Sequence, residues 1–346
     1  MARTRIGLDI GATAARAAEI SLSGDMPGLV RAAQVPMEPG AVENGEIRDP
    51  AAVAEALKEL WRQGGFKARQ VFMGVGNQRV VVREVILQWL PEKELRESLP
   101  YQVQEFIPIA VDDAVLDFDT LEDFEQEGNR MIRVLLVAAH RAMVDLLVQS
   151  AYEARLEPVG LDLVPFALIR SVGSGDGAVF ERRGDEAVID VGAEVTSISV
   201  HDRGVPRFVR ILPTGGNDIT VAVARALAIA FEDAEMLKRG QLVEGPHSLE
   251  DAKRVAVGRA SSFVDEIRSS LAFYTAQDAD AQIGRVLVTG GGSRLDGFPE
   301  MLQERLMVPV ERGHPFERVR PGVEIAEEAE PILAVAIGLA IPGKHT

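Results

Sequence analysis

Two short stretches of this chain repeat one another. Ile6-Gly7-Leu8-Asp9-Ile10-Gly11-Ala12-Thr13 and Ala187-Val188-Ile189-Asp190-Val191-Gly192-Ala193-Glu194 each carry an apolar strand into an Asp-x-Gly turn. Each is followed by a second β-like run, ending at Ile20 in the first copy and continuing as Ser197-Ile198-Ser199-Val200 in the second. The two aspartates lie 181 positions apart in a chain of 346, so the copies head two nearly equal halves. Repetition at that spacing predicts a duplicated α/β unit, a hairpin opening each half. A chain of this length has enough residues for a separate core in each unit.

Between the copies, Asp49 to Trp61 reads as a capped helix. Asp49 can accept from the first-turn amides, Pro50 suits the first helical position, and Val53, Leu57 and Leu60 share a face. The strand Val71 to Val75 follows. From Asn77 to about Leu156 the texture changes to β-like Val80 to Leu87, a helix from Glu92 to Phe106, a strand from Arg133 to Ala139 and a helix from Ala142 to Ala154. This predicts a small inserted α+β unit with its own sheet. In the second half, Pro213-Thr214-Gly215-Gly216-Asn217-Asp218 opens a helix over Ile219 to Phe231. Gly290-Gly291-Gly292-Ser293 likewise joins the strand Arg285 to Thr289 to a helix near Gly297 to Leu306.

Charge and composition narrow the chemistry. Lys and Arg number 37 against 53 Asp and Glu, a net charge of −16 that opposes approach to nucleic acid or to anionic lipid. With no Cys there is no disulfide or thiolate metal site, and five scattered His argue against a zinc enzyme. The longest apolar runs, such as Ile332 to Ile341, fall short of the ~20 residues of a membrane-spanning helix. A cytoplasmic protein without direct membrane insertion is expected.

Strand, glycine loop, helix is a junction at which backbone N–H groups approach a ligand with no Cβ in the way, and a helix N-terminus favours negative charge. Two Asp-x-Gly hairpins and two such glycine loops from opposite halves are suited to converge on a polyanion such as a nucleotide triphosphate. Aspartate repels phosphate, but Asp9 and Asp190 could hold a hydrated Mg²⁺, which keeps several waters and bridges to phosphate oxygens. Arg16 could reach the same phosphates with its fixed donor fork, or stand as an exposed cation on a hairpin.

These segments resemble the actin-like ATPase superfamily, and within it the PilM family of type IV pilus assembly. The likeness runs through Asp9-Ile10-Gly11, Leu90-Pro91-Glu92-Lys93-Glu94-Leu95, Ile107-Pro108, Val159-Gly160-Leu161-Asp162 and Phe166-Ala167-Leu168. It continues with Asp190-Val191-Gly192-Ala193, Phe208-Val209-Arg210, Ala234-Glu235-Met236-Leu237-Lys238, Gly290-Gly291-Gly292-Ser293 and Pro315-Phe316. The resemblance implies a duplicated, ribonuclease H-like α/β fold of two lobes with an FtsA-type α+β insertion. Its subdomains would be 1–76 with 157–184 (first lobe, 1A), 77–156 (insertion, 1C), 185–215 with 282–346 (second lobe, 2A) and 216–281 (helical, 2B).

It further implies ATP and Mg²⁺ as cofactors, with Asp9 and Asp190 reaching the metal through water. Asp9, Gly11, Ala12, Thr13 and Arg16 would form the first phosphate loop, Asp190 and Gly192 the second, with Gly215, Gly216 and Gly290 to Ser293 completing it. Glu235 and Lys238, three apart on a helix, match the pair that holds ribose and adenine, the plainer alternative being an intrahelical ion pair of ~0.3 kcal/mol. Asp162 matches a residue that orients the attacking water, or else caps the next helix. Ala193-Glu194 departs from the small polar run of efficient ATPases, so binding with slow or absent hydrolysis is expected. The implied partner is the cytoplasmic N-terminal segment of a PilN-like inner-membrane protein, met by the insertion around Val80 to Leu87 and Glu92 to Phe106, where apolar residues exceed one core face. Other pilus assembly proteins including motor ATPases, and homo-oligomers or filaments, are compatible partners, with peripheral association to the inner membrane through the partner. An FtsA-like division filament protein and a small-molecule kinase of the same superfamily are the alternatives.

Overall fold

A computed structural model describes residues 4–174, 184–244, 248–277, 281–323, 325–326 and 329–343. The chain opens as an antiparallel meander of β1 (Thr4–Ile10), β2 (Ala14–Ser21) and β3 (Gly28–Pro36). A short hairpin, β4 (Val42–Glu43) and β5 (Glu46–Ile47), leads to α1 (Pro50–Gly64) and β6 (Gln70–Val75), which pairs parallel to β1. The helix starts as its sequence predicts: Asp49 accepts from the N–H groups of Ala51 and Ala52 at 3.0 Å, a cap worth ~1 kcal/mol. Val53, Leu57 and Leu60 are fully buried beneath it.

The inserted unit comprises β7 (Val80–Gln88), α2 (Glu92–Gln102), β8 (Ala114–Gln126) and β9 (Asn129–His140), with the sheet ordered β7-β9-β8. It has its own core, in which Val85 and Leu87 meet Leu95 and Leu99 of α2 and Phe118 and Leu136 of the sheet. The apolar excess of β7 divides between two cores, because alternate side chains face opposite ways. Val80 and Val82 pack into the first-lobe core, while Val85 and Leu87 enter the insertion's own core with Trp89 at its margin, and the Arg130 guanidinium lies 3.7 Å over the Trp89 ring. Only Ile86 of that run stays exposed, at 41%. Helix α2 ends at Gln102, short of the expected Phe106. Val103 N–H makes the last helical bond to Leu99, and Phe106 N–H turns back to Val103, which brings Ile107 into the small core. Strand β8, with five Asp and Glu among its thirteen residues, was not anticipated at all.

The chain returns through α3 (Arg141–Glu153) to β10 (Glu157–Leu163), parallel to β6, and α4 (Val164–Val172). The second half then repeats the first. β11 (Asp185–Val191), β12 (Thr196–Asp202) and β13 (Val205–Leu212) form the meander. Helices α5 (Gly216–Leu227), α6 (Phe231–Lys238) and α7 (Leu249–Thr275) follow, then β14 (Ile283–Thr289), α8 (Phe298–Leu306), β15 (Val310–Arg312) and α9 (Glu330–Ala340). The sheets read β3-β2-β1-β6-β10 and β13-β12-β11-β14-β15, in each case a meander whose first strand continues into two parallel strands. Duplication is therefore present in the topology itself. Helix α5 runs from Gly216 to Leu227 rather than from Ile219 to Phe231. Ala228 turns left-handed at φ 52, and Phe231 begins a separate helix.

Helices α4 and α9 close the two halves and lie against each other between the sheets. The approach is tight enough that a Cβ at Gly338 would fall 1.9 Å from the Ala167 carbonyl oxygen. Every described residue of α9 from Leu333 to Ala340 is buried, so this apolar run is core. Among the described residues no helix is long and apolar enough to cross a membrane.

Candidate functional site

The two repeated turns close in the same way. Gly11 N–H donates to the Ala14 carbonyl at 3.0 Å, and Gly192 N–H to that of Val195 at 2.9 Å. Each turn therefore holds its aspartate at the last rungs of a hairpin, Asp9 opposite Arg16 and Asp190 opposite Ser197. The head of α5 docks onto the second turn: Gly216 N–H donates to the Gly192 carbonyl at 3.0 Å and Asn217 N–H to that of Ala193 at 2.7 Å. Gly290, after β14, has φ 83, and a Cβ there would meet Asp190 Oδ1 and the Val191 carbonyl at 2.5 Å. Only glycine satisfies both the dihedral and the contact.

These turns converge on one cleft of about 650 Å³ between the lobes. Asp9, Gly11, Ala12, Thr13 and Arg16 line it from the first half. Asp190, Gly192, Gly216, Glu235, Lys238 and Gly290 to Gly292 line it from the second. Apolar side chains, Val42, Ile47, Val75, Met143, Leu147 and Val164, complete its lining.

The electrostatics are those of a site short of positive charge. Burial raises the Asp190 carboxyl to about 7, and the neighbouring Asp9 charge adds to the rise against the pull of Arg16. Burial raises Asp9 as well, opposed by its contact with Arg16 at 3.4 Å. Arg16 in turn donates through Nε to Gln34 Oε1 at 2.8 Å, its direct partner across β2 and β3. Among the described residues no group of three or more His, Cys, Asp or Glu is placed to hold a metal directly. Two carboxylates that both resist ionisation could hold a hydrated Mg²⁺, which needs only one or two protein carboxylates.

Glu235 and Lys238 form the expected pair at 2.6 Å, half-buried in the wall. Burial would raise the Glu235 carboxyl, but the Lys238 ammonium and hydrogen bonds from Lys238, Thr220 and Arg239 hold it below the usual range. Burial lowers the Lys238 amine despite that partner. Lys238 Nζ also donates to the Gly216 carbonyl at 3.1 Å and to Thr220 Oγ1 at 2.8 Å, tying α6 to the glycine loop.

Three of the expected residues do not face the cleft. Asp162 is paired with Arg170, which also donates to the Gly338 carbonyl, and its other oxygen accepts from Leu163 N–H at 2.7 Å. It ties β10 to the α4 and α9 pair and does not cap α4, whose N-cap is Leu163 with no side-chain cap bond. Gly215 packs behind Ala193, where a Cβ would stand 2.5 Å from the Ala193 carbonyl, and Ser293 turns its hydroxyl to the Gly290 carbonyl at 2.8 Å. Glu194 does line the cleft, but its carboxylate accepts from Asn44 N–H at 2.7 Å. Gln34 and Thr220 were missed. The first follows from the strand register opposite Arg16, the second from its place one turn after Gly216.

A duplicated meander-plus-two sheet with an interlobe cleft defines the actin-like ATPase fold. The chain shares it with the ethanolamine utilization protein EutJ of Carboxydothermus hydrogenoformans (18% identity, TM-score 0.58, 98% of this chain and 89% of that one). It shares it also with MreB5 of Spiroplasma citri bound to ADP (14% identity, TM-score 0.55, 97% and 94%). A family model for type IV pilus assembly protein PilM matches residues 7–344, and the chain belongs to that family. A chain of the solved PilM-PilN type IV pilus biogenesis complex is 32% identical over 97% of both chains, with a TM-score of 0.81. The cell division protein FtsA of Pseudomonas aeruginosa is 22% identical over 98% of this chain and 88% of its own length. FtsA of Bacillus subtilis is 23% identical over 68% of this chain, which spans 57% of that relative.

Proposed function

We propose that the cleft binds ATP with Mg²⁺, and that the protein is a nucleotide-binding adaptor of type IV pilus assembly. The observation that carries this reading is the convergence of both Asp-x-Gly turns and both glycine loops on one cleft, where Asp9 and Asp190 share Arg16 as their nearby cation. Asp9 and Asp190 would hold hydrated Mg²⁺, whose charge offsets theirs and that of the phosphates. Arg16, oriented by Gln34, would offer its remaining N–H groups to phosphate. The backbone of Gly11 to Thr13 and of Gly216 would line the polyphosphate, and Glu235 and Lys238 would take ribose and adenine. Asp162 is bound to Arg170 and Glu194 to Asn44, so both carboxylates offered as catalytic bases are already engaged. This supports slow or no hydrolysis over a kinase reading.

By analogy with the related PilM-PilN complex, the partner we propose is the cytoplasmic N-terminal segment of a PilN-like inner-membrane protein, which we assign to the insertion. The protein would then work at the cytoplasmic face of the membrane and be held there by its partner. The FtsA relatives favour a second reading, a division filament protein, and a membrane-facing helix cannot be supplied by α9, which is buried. Capture of the protein on immobilised peptides from PilN-like N-termini, with and without Mg-ATP, tests the adaptor. Specific capture that responds to Mg-ATP is expected. No capture in either condition, or phosphate release at several per second with transfer to small acceptors, would reject it.

A further inference from the structure

Asn44 and Gly45 form the tip of the β4–β5 hairpin, with φ 51 and 75. The hairpin is rooted in the first lobe, since Val42 and Ile47 are buried in that core. Its tip is fixed from the side of the insertion. Asn77, 1% exposed where the chain leaves β6, donates through Nδ2 to the Gly45 carbonyl at 2.9 Å, and its Oδ1 accepts from Arg79 N–H at 2.9 Å. From across the cleft comes the Glu194 carboxylate, on Asn44 N–H at 2.7 Å. The turn bearing Glu194 is itself locked to the head of α5 by Gly216 and Asn217, and Asn217 Nδ2 lies 3.5 Å from the other carboxylate oxygen.

We infer that Glu194 and Asn44 form an interlobe latch that holds the cleft closed and links the glycine loops of the second lobe to the root of the insertion. The contact has the form of a latch for three reasons. A charged acceptor on a backbone N–H is among the stronger hydrogen bonds. It joins two turns that are each rigidly anchored to a different lobe. Glu194 and Gly45, next to Asn44, also line the cleft with Asp9 and Asp190. Opening the lobes breaks one bond at Asn44, and the loss is felt at Asn77, which holds the same turn.

The latch goes beyond the nucleotide reading and relies on it only for what the cleft releases. Its test is run on the full chain without nucleotide, so the two fail separately. Amide hydrogen exchange is measured at Asn44 and Arg79 in wild type, Glu194→Ala and Glu194→Gln. Alanine should speed exchange at Asn44 at least tenfold and at Arg79 severalfold. Glutamine, which keeps an acceptor oxygen, should stay within about threefold of wild type. Unchanged exchange at Asn44 in Glu194→Ala would overturn the latch. Faster exchange at Asn44 alone would overturn the link to the insertion. Equal acceleration in both variants would show that charge rather than the bond is responsible, and would overturn it too.

Discussion

Replacing Asp190 by Asn should stabilise the ligand-free protein at alkaline pH while removing its capacity for Mg-nucleotide. The carboxyl titrates near 7 in the fold against an ordinary 3.8, with burial as the larger cause and the Asp9 charge as the second. A native carboxyl raised in this way binds its proton when the unfolded chain has lost it. Its contribution to stability is complete below about pH 4 and is lost as pH rises through 7. At ~1.4 kcal/mol per pH unit the limiting loss is about 4 kcal/mol. Water reaches the cleft wall, and screening reduces that to ~2 kcal/mol, of which about half falls between pH 5.5 and 8. Asparagine is neutral throughout. In chelator-treated protein, thermal unfolding of the variant should therefore exceed wild type by about 3 °C at pH 8, with the gap shrinking by about half at pH 5.5. Adding Mg²⁺ with nucleotide should raise wild type and leave the variant unmoved. A variant less stable than wild type at pH 8, or a gap that does not change with pH, would refute the strained carboxylate pair.

Three further outcomes follow from contacts around the cleft. Gln34→Ala removes the acceptor of Arg16 Nε, a loss of ~1 kcal/mol, and should weaken ATP about fivefold while leaving adenosine unchanged in calorimetry. Lys238→Met leaves Glu235 with Arg239 and Thr220 but without its closest cation, and should cost about 1 kcal/mol in urea unfolding and weaken every adenine nucleotide alike. Gly338→Ala drives a methyl into the Ala167 carbonyl oxygen at 1.9 Å, so α4 and α9 must separate. A loss of ~3 kcal/mol is expected in the same assay, and a change within ~0.5 kcal/mol would mean that the two helices are not packed as described.

Features made by neighbours in sequence were legible, and features made by closure of the molecule were not. The Asp9 and Asp190 turns are local hairpins, and Asp49-Pro50 is a local cap, so each appears where its residues place it. Ala224 to Phe231 reads as unbroken helix because nothing in Leu227-Ala228-Ile229-Ala230 forbids it. The left turn at Ala228 is imposed by packing α6 back on α5. Strand β8 hid behind its charge, since alternate Asp and Glu on an exposed edge resemble a loop, while Phe118 and Ala114 point to the core. Asp162 was ambiguous because two roles use the same residue, and the deciding partner, Arg170, becomes near only when α4 turns back along β10. Glu194 lines the cleft, yet its bond to Asn44, 150 residues away, arises from the meeting of the lobes.

Together, Asp9 and Asp190 would make the cleft a site for Mg-nucleotide. Titration calorimetry of Mg-ATP into wild type and Asp190→Ala tests it directly. Binding to wild type that weakens at least tenfold in the variant, ~1.4 kcal/mol, is the predicted result. Equal affinity in the two proteins, or no heat of binding in wild type, would contradict it.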